Sequence, residues 1–222
     1  MSGRTGLTTV TFGASRLEGF LCRPERAQGL VVFAHGAGSS RFSSRNRFVA
    51  DRLEAAGLAT LLFDLLSEPE AADRANVFDI GLLAERMVEA LDWIGTRDDL
   101  EDLPVGLFGA STGAAAALVA AALAPEKVSA VVSRGGRPDL AGPALSKVLC
   151  PTLLIVGGAD YQVIELNLSA LEMLACEKRI EIVPGATHLF EEPGTLEQVA
   201  GLAADWFTGH LKMPGQAVNR FS

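Results

Sequence analysis

Six short apolar runs divide the chain, with room for a helix between most of them. They predict strands at Leu30–Ala34, Ala59–Phe63, 105–108, 128–132, 152–156 and 179–183. Runs that are apolar on both faces are typical of strands buried within a parallel sheet. Ahead of them, Leu7–Phe12 and Leu17–Cys22 flank a turn at Gly13-Ala14-Ser15 and predict an antiparallel hairpin.

Stretches with apolar residues at helical spacing separate the predicted strands. One stripe contains Phe48, Val49, Leu53 and Ala56, and Gly57 is placed to end that helix. Further helices are predicted within 80–94, 114–124, 164–174 and 196–207. This alternation predicts one α/β domain over residues 1–212, with a mostly parallel sheet and helices on both of its faces. Residues 213–222 lack periodicity and are predicted to form a disordered tail.

The segment Gly109-Ala110-Ser111-Thr112-Gly113 lies between a predicted strand and an alanine-rich predicted helix. A Gly-x-Ser-x-Gly sequence at such a junction is typical of a nucleophile elbow, a sharp turn that presents a serine hydroxyl. Glycines two positions on either side of the serine let the strand and the helix approach closely. The turn places Ser111 at the carboxyl edge of the sheet, where open α/β folds bind their ligands.

A serine hydroxyl is a weak nucleophile until a base accepts its proton, and the chain has three histidines. His188 lies in a loop after the last predicted strand, and so at the same sheet edge as Ser111. His35 ends the first parallel strand and is interpreted as a loop-shaping residue, while His210 lies in the last predicted helix. We therefore expect His188 to be the catalytic base.

An imidazole base needs a carboxylate that fixes its tautomer and stabilises its charged form. Asp160 follows the strand predicted over 152–156. The order Ser111, Asp160, His188 is the order in which triads occur in α/β enzymes with a nucleophile elbow. Asp160 is therefore the expected acid, and the alternative carboxylates are Asp64, Glu191 and Glu192.

The tetrahedral intermediate of acyl transfer needs N–H donors for its oxyanion. We expect the backbone N–H of Thr112, directly after the serine, to be one donor and the N–H of Ala37 to be the other. Ala37 lies in the loop His35-Gly36-Ala37-Gly38, whose glycines allow a substrate to approach closely. The sequence that follows lacks the Gly-Lys-Ser/Thr ending of a phosphate-binding loop, so nucleotide binding is not expected.

The amino-acid composition argues against several classes of protein. With 222 residues, 49% of them hydrophobic, the chain can bury a core and does not resemble a disordered protein. A net charge of -8 argues against nucleic acid as a partner.

No apolar run approaches the roughly 20 residues of a membrane span, and the N-terminus lacks the apolar core of a secretory signal, so we expect a cytoplasmic protein without a membrane partner. Metal-ligand spacing is absent from the cysteines, which are Cys22, Cys150 and Cys176.

With the elbow, Asp160, His188 and the His-Gly loop in this order, the chain resembles the α/β-hydrolase superfamily, and most of all its dienelactone-hydrolase-like members. The resemblance covers about residues 5–211. It implies an α/β-hydrolase fold with little or no cap, a Ser-His-Asp triad, and neither a metal nor an organic cofactor. Dienelactone hydrolases proper carry a cysteine nucleophile. The serine at position 111 therefore favours a serine esterase and puts dienelactone in doubt as the substrate.

Two features near the expected site have open roles. Arginines collect after the His-Gly loop and after the strand predicted over 128–132, at Arg41, Arg45, Arg47, Arg134 and Arg137. One of them, Arg134 or a member of the first group such as Arg41, is a candidate to bind a substrate carboxylate. Pairing with surface acids is the alternative. The stretch 65–77 is predicted to be a solvated loop, with a small lid over the site as the alternative.

Together these features predict a serine hydrolase that cleaves an ester or thioester of a small to medium carboxylic acid through an acyl-enzyme. The substrate would be a small molecule, and the protein a monomer or a homodimer. Two other readings stay open. One is a binding or scaffold module with the same fold and no turnover, and the other is an acyltransferase that uses the same triad.

Overall fold

Eight strands form one sheet in the computed structural model, which describes residues 6–212. The predicted tail at 213–222 lies outside the described residues. The strands are β1 Leu7–Phe12, β2 Leu17–Cys22, β3 Leu30–Ala34, β4 Ala59–Phe63, β5 Val105–Ala110, β6 Ala130–Arg134, β7 Thr152–Gly157 and β8 Lys178–Val183.

The sheet order is β1-β2-β4-β3-β5-β6-β7-β8. The first hairpin is antiparallel and joins the sheet through an antiparallel pairing of β2 with β4. All other pairings, from β4 through β3 to β8, are parallel. The predicted hairpin and parallel sheet are therefore confirmed, and the carboxyl ends of β3 to β8 lie along one edge.

Helices cover both faces of this sheet, as predicted. They are α1 Ser44–Ala55, α2 Glu68–Ala71, α3 Arg74–Val77, α4 Ile80–Ile94, α5 Thr112–Leu123, α6 Tyr161–Met173 and α7 Thr195–His210, with a 3-10 segment at Pro138–Lys147. Helices α1 and α7 contribute to one buried apolar cluster, and α4, α5 and α6 contribute to another. Alternate residues of β3 pack into different clusters, which explains why this strand is apolar on both of its faces. Val31 and Phe33 lie in the cluster with α1 and α7, and the cluster with α4, α5 and α6 contains Leu30, Val32 and Ala34.

The connection from β6 to β7 does not form a cap. Its 3-10 segment, Pro138–Lys147, packs against α5 and α6 and buries Leu145 in the core. No helix within residues 6–212 is both long enough and apolar enough to cross a membrane.

The stretch predicted as a solvated loop instead contains the short helices α2 and α3. The N–H and hydroxyl of Ser67 donate to Glu70, at 2.9 and 2.8 Å, and close the first turn of α2 as a capping box. Arg86 of α4 pairs with the same carboxylate at 2.5 Å, and Val77 packs on the core. These contacts give the segment a fixed position, so the loop prediction is wrong here.

The start of α5 packs unusually close to β3, because its second residue is Gly113. A Cβ atom at position 113 would lie 2.3 Å from the carbonyl oxygen of Ala34 and 2.5 Å from that of His35. Both neighbours are backbone atoms, which cannot rotate away. The alanine-rich helix that follows is almost wholly buried, and its small side chains permit this approach.

We expect Gly113→Ala to lower the free energy of unfolding by about 2 kcal/mol, because β3 and α5 would have to separate. The matched control is Gly201→Ala in α7, where a Cβ atom meets nothing within 4 Å. That variant should gain up to about 1 kcal/mol from helix propensity. Urea unfolding measures both changes, and equal midpoints for the two variants would contradict the close packing at Gly113.

Candidate active site

Ser111 occupies the turn between β5 and α5 with φ 53° and ψ −124°, a backbone conformation that a non-glycine residue rarely adopts. The neighbouring strand end holds the turn in place. The Ser111 N–H donates to the carbonyl of Arg134 at 3.3 Å, and the Arg137 N–H donates to the Ser111 carbonyl at 3.0 Å. Thr112 then begins α5, so the serine stands at the N-terminus of a buried helix.

Asp160 and His188 form a hydrogen-bonded pair. Asp160 follows β7 and His188 follows β8, and His188 Nδ1 lies 2.7 Å from Asp160 Oδ2. The two loops are joined by a bond from the Ala159 N–H to the Ala186 carbonyl at 2.9 Å. A proton on Nδ1 satisfies the carboxylate and leaves Nε2 of His188 as the ring atom able to accept another proton.

The three predicted triad residues lie at one edge of the sheet, after β5, β7 and β8. Gly135, which follows β6, stands between the elbow and the histidine loop. A Cβ atom at position 135 would lie 3.0 Å from the His188 carbonyl oxygen and 3.7 Å from its Nδ1. The Ser111 hydroxyl makes no hydrogen bond to another residue within 6–212, so the structure pairs the acid with the histidine and leaves the serine unengaged.

The alternative carboxylates contact other groups. Asp64 binds the guanidinium and the N–H of Arg41, and Glu191 pairs with Arg45 at 3.2 Å. Glu192 accepts bonds from the hydroxyl and N–H of Thr187, at 2.6 and 3.0 Å, and these bonds lower its pKa. Glu192 therefore shapes the loop next to His188 rather than pairing with the ring.

His35 joins the loops after β3 and β4. Its Nε2 accepts the N–H of Leu65 at 3.1 Å, and its Nδ1 donates to the carbonyl of Gly36 at 3.0 Å. Burial lowers the pKa of His35, so the ring is neutral and both nitrogens are engaged. This arrangement agrees with a loop-shaping residue and leaves no ring nitrogen for proton transfer.

The two predicted oxyanion donors lie together, but one of them is occupied. The Ala37 N–H donates to Thr112 Oγ1 at 2.9 Å. The Thr112 N–H is at the first position of α5, where the helix itself offers no acceptor. The Ala37 N–H is therefore already bound by the threonine side chain, a contact that sequence reasoning did not detect.

The two candidate carboxylate-binding arginines differ sharply. Arg41 pairs with Asp64 and with Glu18, so its charge is already matched. Arg134 is 6% exposed; one guanidinium nitrogen donates to Asn46 Oδ1 at 3.2 Å, and its Nε is buried without a partner in the described part of the chain. Burial, reinforced by the charge of Arg45, lowers the pKa of Arg134 to about 10, which still leaves it charged at neutral pH.

Residues 17–208 match the dienelactone hydrolase family. The chain belongs to this family. A crystal structure of dienelactone hydrolase from Anabaena variabilis is 57% identical, covers 93% of this chain and 97% of its own, and superposes with a TM-score of 0.89. Est1E from Butyrivibrio proteoclasticus is 15% identical, covers 92% of this chain and 98% of its own, and has a TM-score of 0.77, a likeness of fold.

Another relative is named after a reaction other than hydrolysis. A protein of Mycobacterium tuberculosis, provisionally named a phosphoribosyl transferase, is 60% identical over 206 residues. The match covers 93% of this chain and 46% of the relative, so the chain spans about half the length of that protein. In this chain Ser111 stands at the turn after β5, and Asp160 pairs with His188.

The bond from Ala37 to Thr112 can be tested without a substrate. Thr112→Val removes the acceptor at nearly constant volume, so the Ala37 amide hydrogen should exchange about tenfold faster, as expected for the loss of one hydrogen bond. Two-dimensional amide NMR measures this rate, and Thr112→Ser should keep it slow because the hydroxyl remains. Equal exchange rates in the valine variant and the unaltered protein would show that Ala37 has another acceptor.

Proposed function

We propose that the protein is a serine hydrolase that cleaves an ester or thioester of a small to medium carboxylic acid. Ser111 is the nucleophile, His188 the base and Asp160 the acid. The observation that carries the proposal is the 2.7 Å bond between His188 and Asp160 at the sheet edge where Ser111 occupies its strained turn. In the neutral ring this bond holds the proton on Nδ1, and Nε2 is then the nitrogen that can accept the serine proton, as a general base requires.

The reaction follows from these positions. His188 Nε2 takes the hydroxyl proton of Ser111 while the serine oxygen bonds to the substrate carbonyl carbon. The tetrahedral intermediate collapses, and the leaving alcohol or thiol departs with the proton from His188. A water molecule then gives a proton to His188 and attacks the acyl-enzyme, and the acid is released when Ser111 recovers its proton. These steps use no cofactor.

The N–H groups of Thr112 and Ala37 stabilise the oxyanion, and each contributes on the order of 3 kcal/mol in such a site. Because the Ala37 N–H donates to the Thr112 hydroxyl, the substrate oxygen must replace that hydroxyl as the acceptor. The exchange trades one neutral hydrogen bond for one to a developing negative charge, which is the stronger of the two. Ala37 therefore stabilises the transition state more than it stabilises the bound ester.

Phosphoribosyl transfer, which the name of the longer relative suggests, has no comparable support here. The glycine-containing loop after β3 is the natural place to look for a phosphate site. The Ser39 N–H donates to the Gly36 carbonyl inside the loop, so it does not point at a ligand. The residues after Gly38 are Ser39 and Ser40, not the Gly-Lys-Ser/Thr ending that a phosphate-binding loop carries.

The proposed compartment is the cytoplasm. Cys22 and Cys150 are buried thiols, and burial raises the pKa of Cys150 to about 12. A reducing compartment suits thiols of this kind.

Ser111→Ala should abolish hydrolysis of 4-nitrophenyl esters and labelling by a fluorophosphonate, with an unchanged unfolding midpoint. Asp160→Asn should lower kcat by about 10⁴-fold, because the amide favours the wrong tautomer of His188. Steady-state kinetics with gel-based labelling measures both. Full labelling of the Ser111→Ala variant would refute the assignment of Ser111 as the nucleophile.

Partitioning of the acyl group between water and added alcohol distinguishes a hydrolase from an acyltransferase.

Arg134 is our proposed contact for a substrate carboxylate, because it is the buried candidate whose Nε has no partner in residues 6–212. Arg134→Gln should lower kcat/KM for an ester with a carboxylate by about tenfold more than for a neutral ester of the same size, as expected for a lost charged hydrogen bond. Arg137→Gln is the control, since Arg137 pairs with Asp139. Equal losses on both esters in Arg134→Gln would make this arginine a purely structural contact of Asn46.

A further inference from the structure

A cavity of about 460 Å³ lies between the loop after β3 and the segment after β4. Its apolar lining is formed by Leu17, Leu65, Leu66, Ala71, Val77 and Leu83. We call it the β3–β4 cavity. Its volume is within the range of small-molecule sites, which are mostly apolar and carry a few polar groups.

The lining of the cavity includes residues next to Ser111, the proposed nucleophile. Gly36 and Ala37 line it, and a Cβ atom at Gly36 would lie 3.0 Å from Cβ and 3.7 Å from Oγ of Ser111. Gly36 therefore belongs both to the lining of the cavity and to the immediate surroundings of Ser111, and a side chain at this position would crowd the serine. The Ala37 N–H, proposed as an oxyanion donor, lies in the same stretch of backbone.

The order of the strands places the cavity and the histidine on opposite sides of Ser111. The sheet runs β4-β3-β5-β6-β7-β8 from the cavity side to the edge. Ser111 follows β5, whereas His188 follows β8, and the cavity lies beyond the ends of β3 and β4. A group bonded to Ser111 can thus extend toward the histidine or toward the cavity.

The role of His188 determines which part of the ester faces the histidine and which part faces the cavity. His188 protonates the leaving oxygen, so the alcohol part must face the histidine. With the leaving oxygen on the histidine side, the acyl substituent is left to extend to the other side of Ser111, where the strand order places the β3–β4 cavity. We infer that the β3–β4 cavity binds the acyl group of the substrate, and this inference rests on the proposed hydrolase function.

The charges of the cavity favour an uncharged acyl chain. Arg41 lies between Asp64 and Glu18 and pairs with both. The other charged lining residues are Arg16 and Glu68, one of each sign, so the acids exceed the arginines by one in this lining. Burial keeps His35 neutral. A carboxylate on the acyl chain would meet no unmatched positive charge from Arg41, whereas an aliphatic chain would contact the leucines.

Helix α2 and the end of α3 form the outer wall of the cavity. Ala71 and Val77 contribute to this wall. The wall is held by the pairing of Glu70 with Ser67 and Arg86, so it acts as a fixed boundary. The size of the residues at positions 71 and 77 should therefore determine which acyl chains fit.

The test measures kcat/KM over 4-nitrophenyl esters from acetate to decanoate. Ala71→Leu should lower the value for the octanoate ester by about tenfold relative to acetate, since single methylene groups matter this much in a tight apolar pocket. Val77→Ala should shift the preferred chain toward longer acids. The matched control is Ala75→Leu, an exposed position on α3 outside the lining of the cavity, which should leave the profile unchanged.

A second series varies the alcohol of acetate esters and should give the same profile for Ala71→Leu and the unaltered protein. A changed alcohol profile with an unchanged acyl profile would assign the cavity to the leaving group and overturn the inference. Equal losses at all acyl lengths, or the same shift in Ala75→Leu, would overturn it as well. If no ester shows hydrolysis that depends on Ser111, the proposed function itself fails and the inference fails with it.

Discussion

The backbone turn at Ser111 is the constraint on which the rest of the site depends. Its φ of 53° costs of order 1 to 3 kcal/mol for a residue with a side chain. The surrounding structure must supply that energy, and it does so through the close contact of Gly113 with β3 and the hydrogen bonds of Ser111 with β6 and the residues after it. The same close contact sets the distance between Thr112 and Ala37. A looser junction would relax the turn and separate the two proposed oxyanion donors together.

The strands of the sheet were predictable because the central ones are buried on both faces, although β6 begins and ends two residues later than predicted. Strand β3 reads as a continuous apolar run for that reason, and its predicted bounds are the observed ones. Strand β8 lies at the edge of the sheet and exposes Lys178, Arg179 and Ile182, yet its apolar residues still allowed its prediction. Helices α2 and α3 have four residues each, too few to show a period, and only the capping sequence Ser67-Glu68-Pro69-Glu70 could have signalled them.

Topology alone places the candidate residues along one edge of the sheet. A parallel sheet brings the loops after its strands to the same edge, so the sequence predicted Ser111, Asp160 and His188 there. Which carboxylate pairs with His188 was harder to predict, because it depends on which acids form ion pairs with arginines instead. Asp64 and Glu191 are taken by Arg41 and Arg45, and no local pattern reports pairings between positions so far apart in the chain. The bond from Ala37 to Thr112 escaped prediction for the same reason.

The alanines of α5 have a consequence for how a protein of this kind can acquire a new substrate. They bury the helix between the sheet and its neighbours, where a larger side chain would collide, so the framework beneath the nucleophile leaves almost no freedom for variation. The outer wall at α2 and α3 is fixed to the framework through Glu70 and Val77 but carries none of the proposed catalytic groups. Substitutions on this wall would leave the helix beneath the nucleophile unchanged, so the proposed acyl preference could diverge between relatives without a change in the proposed chemistry.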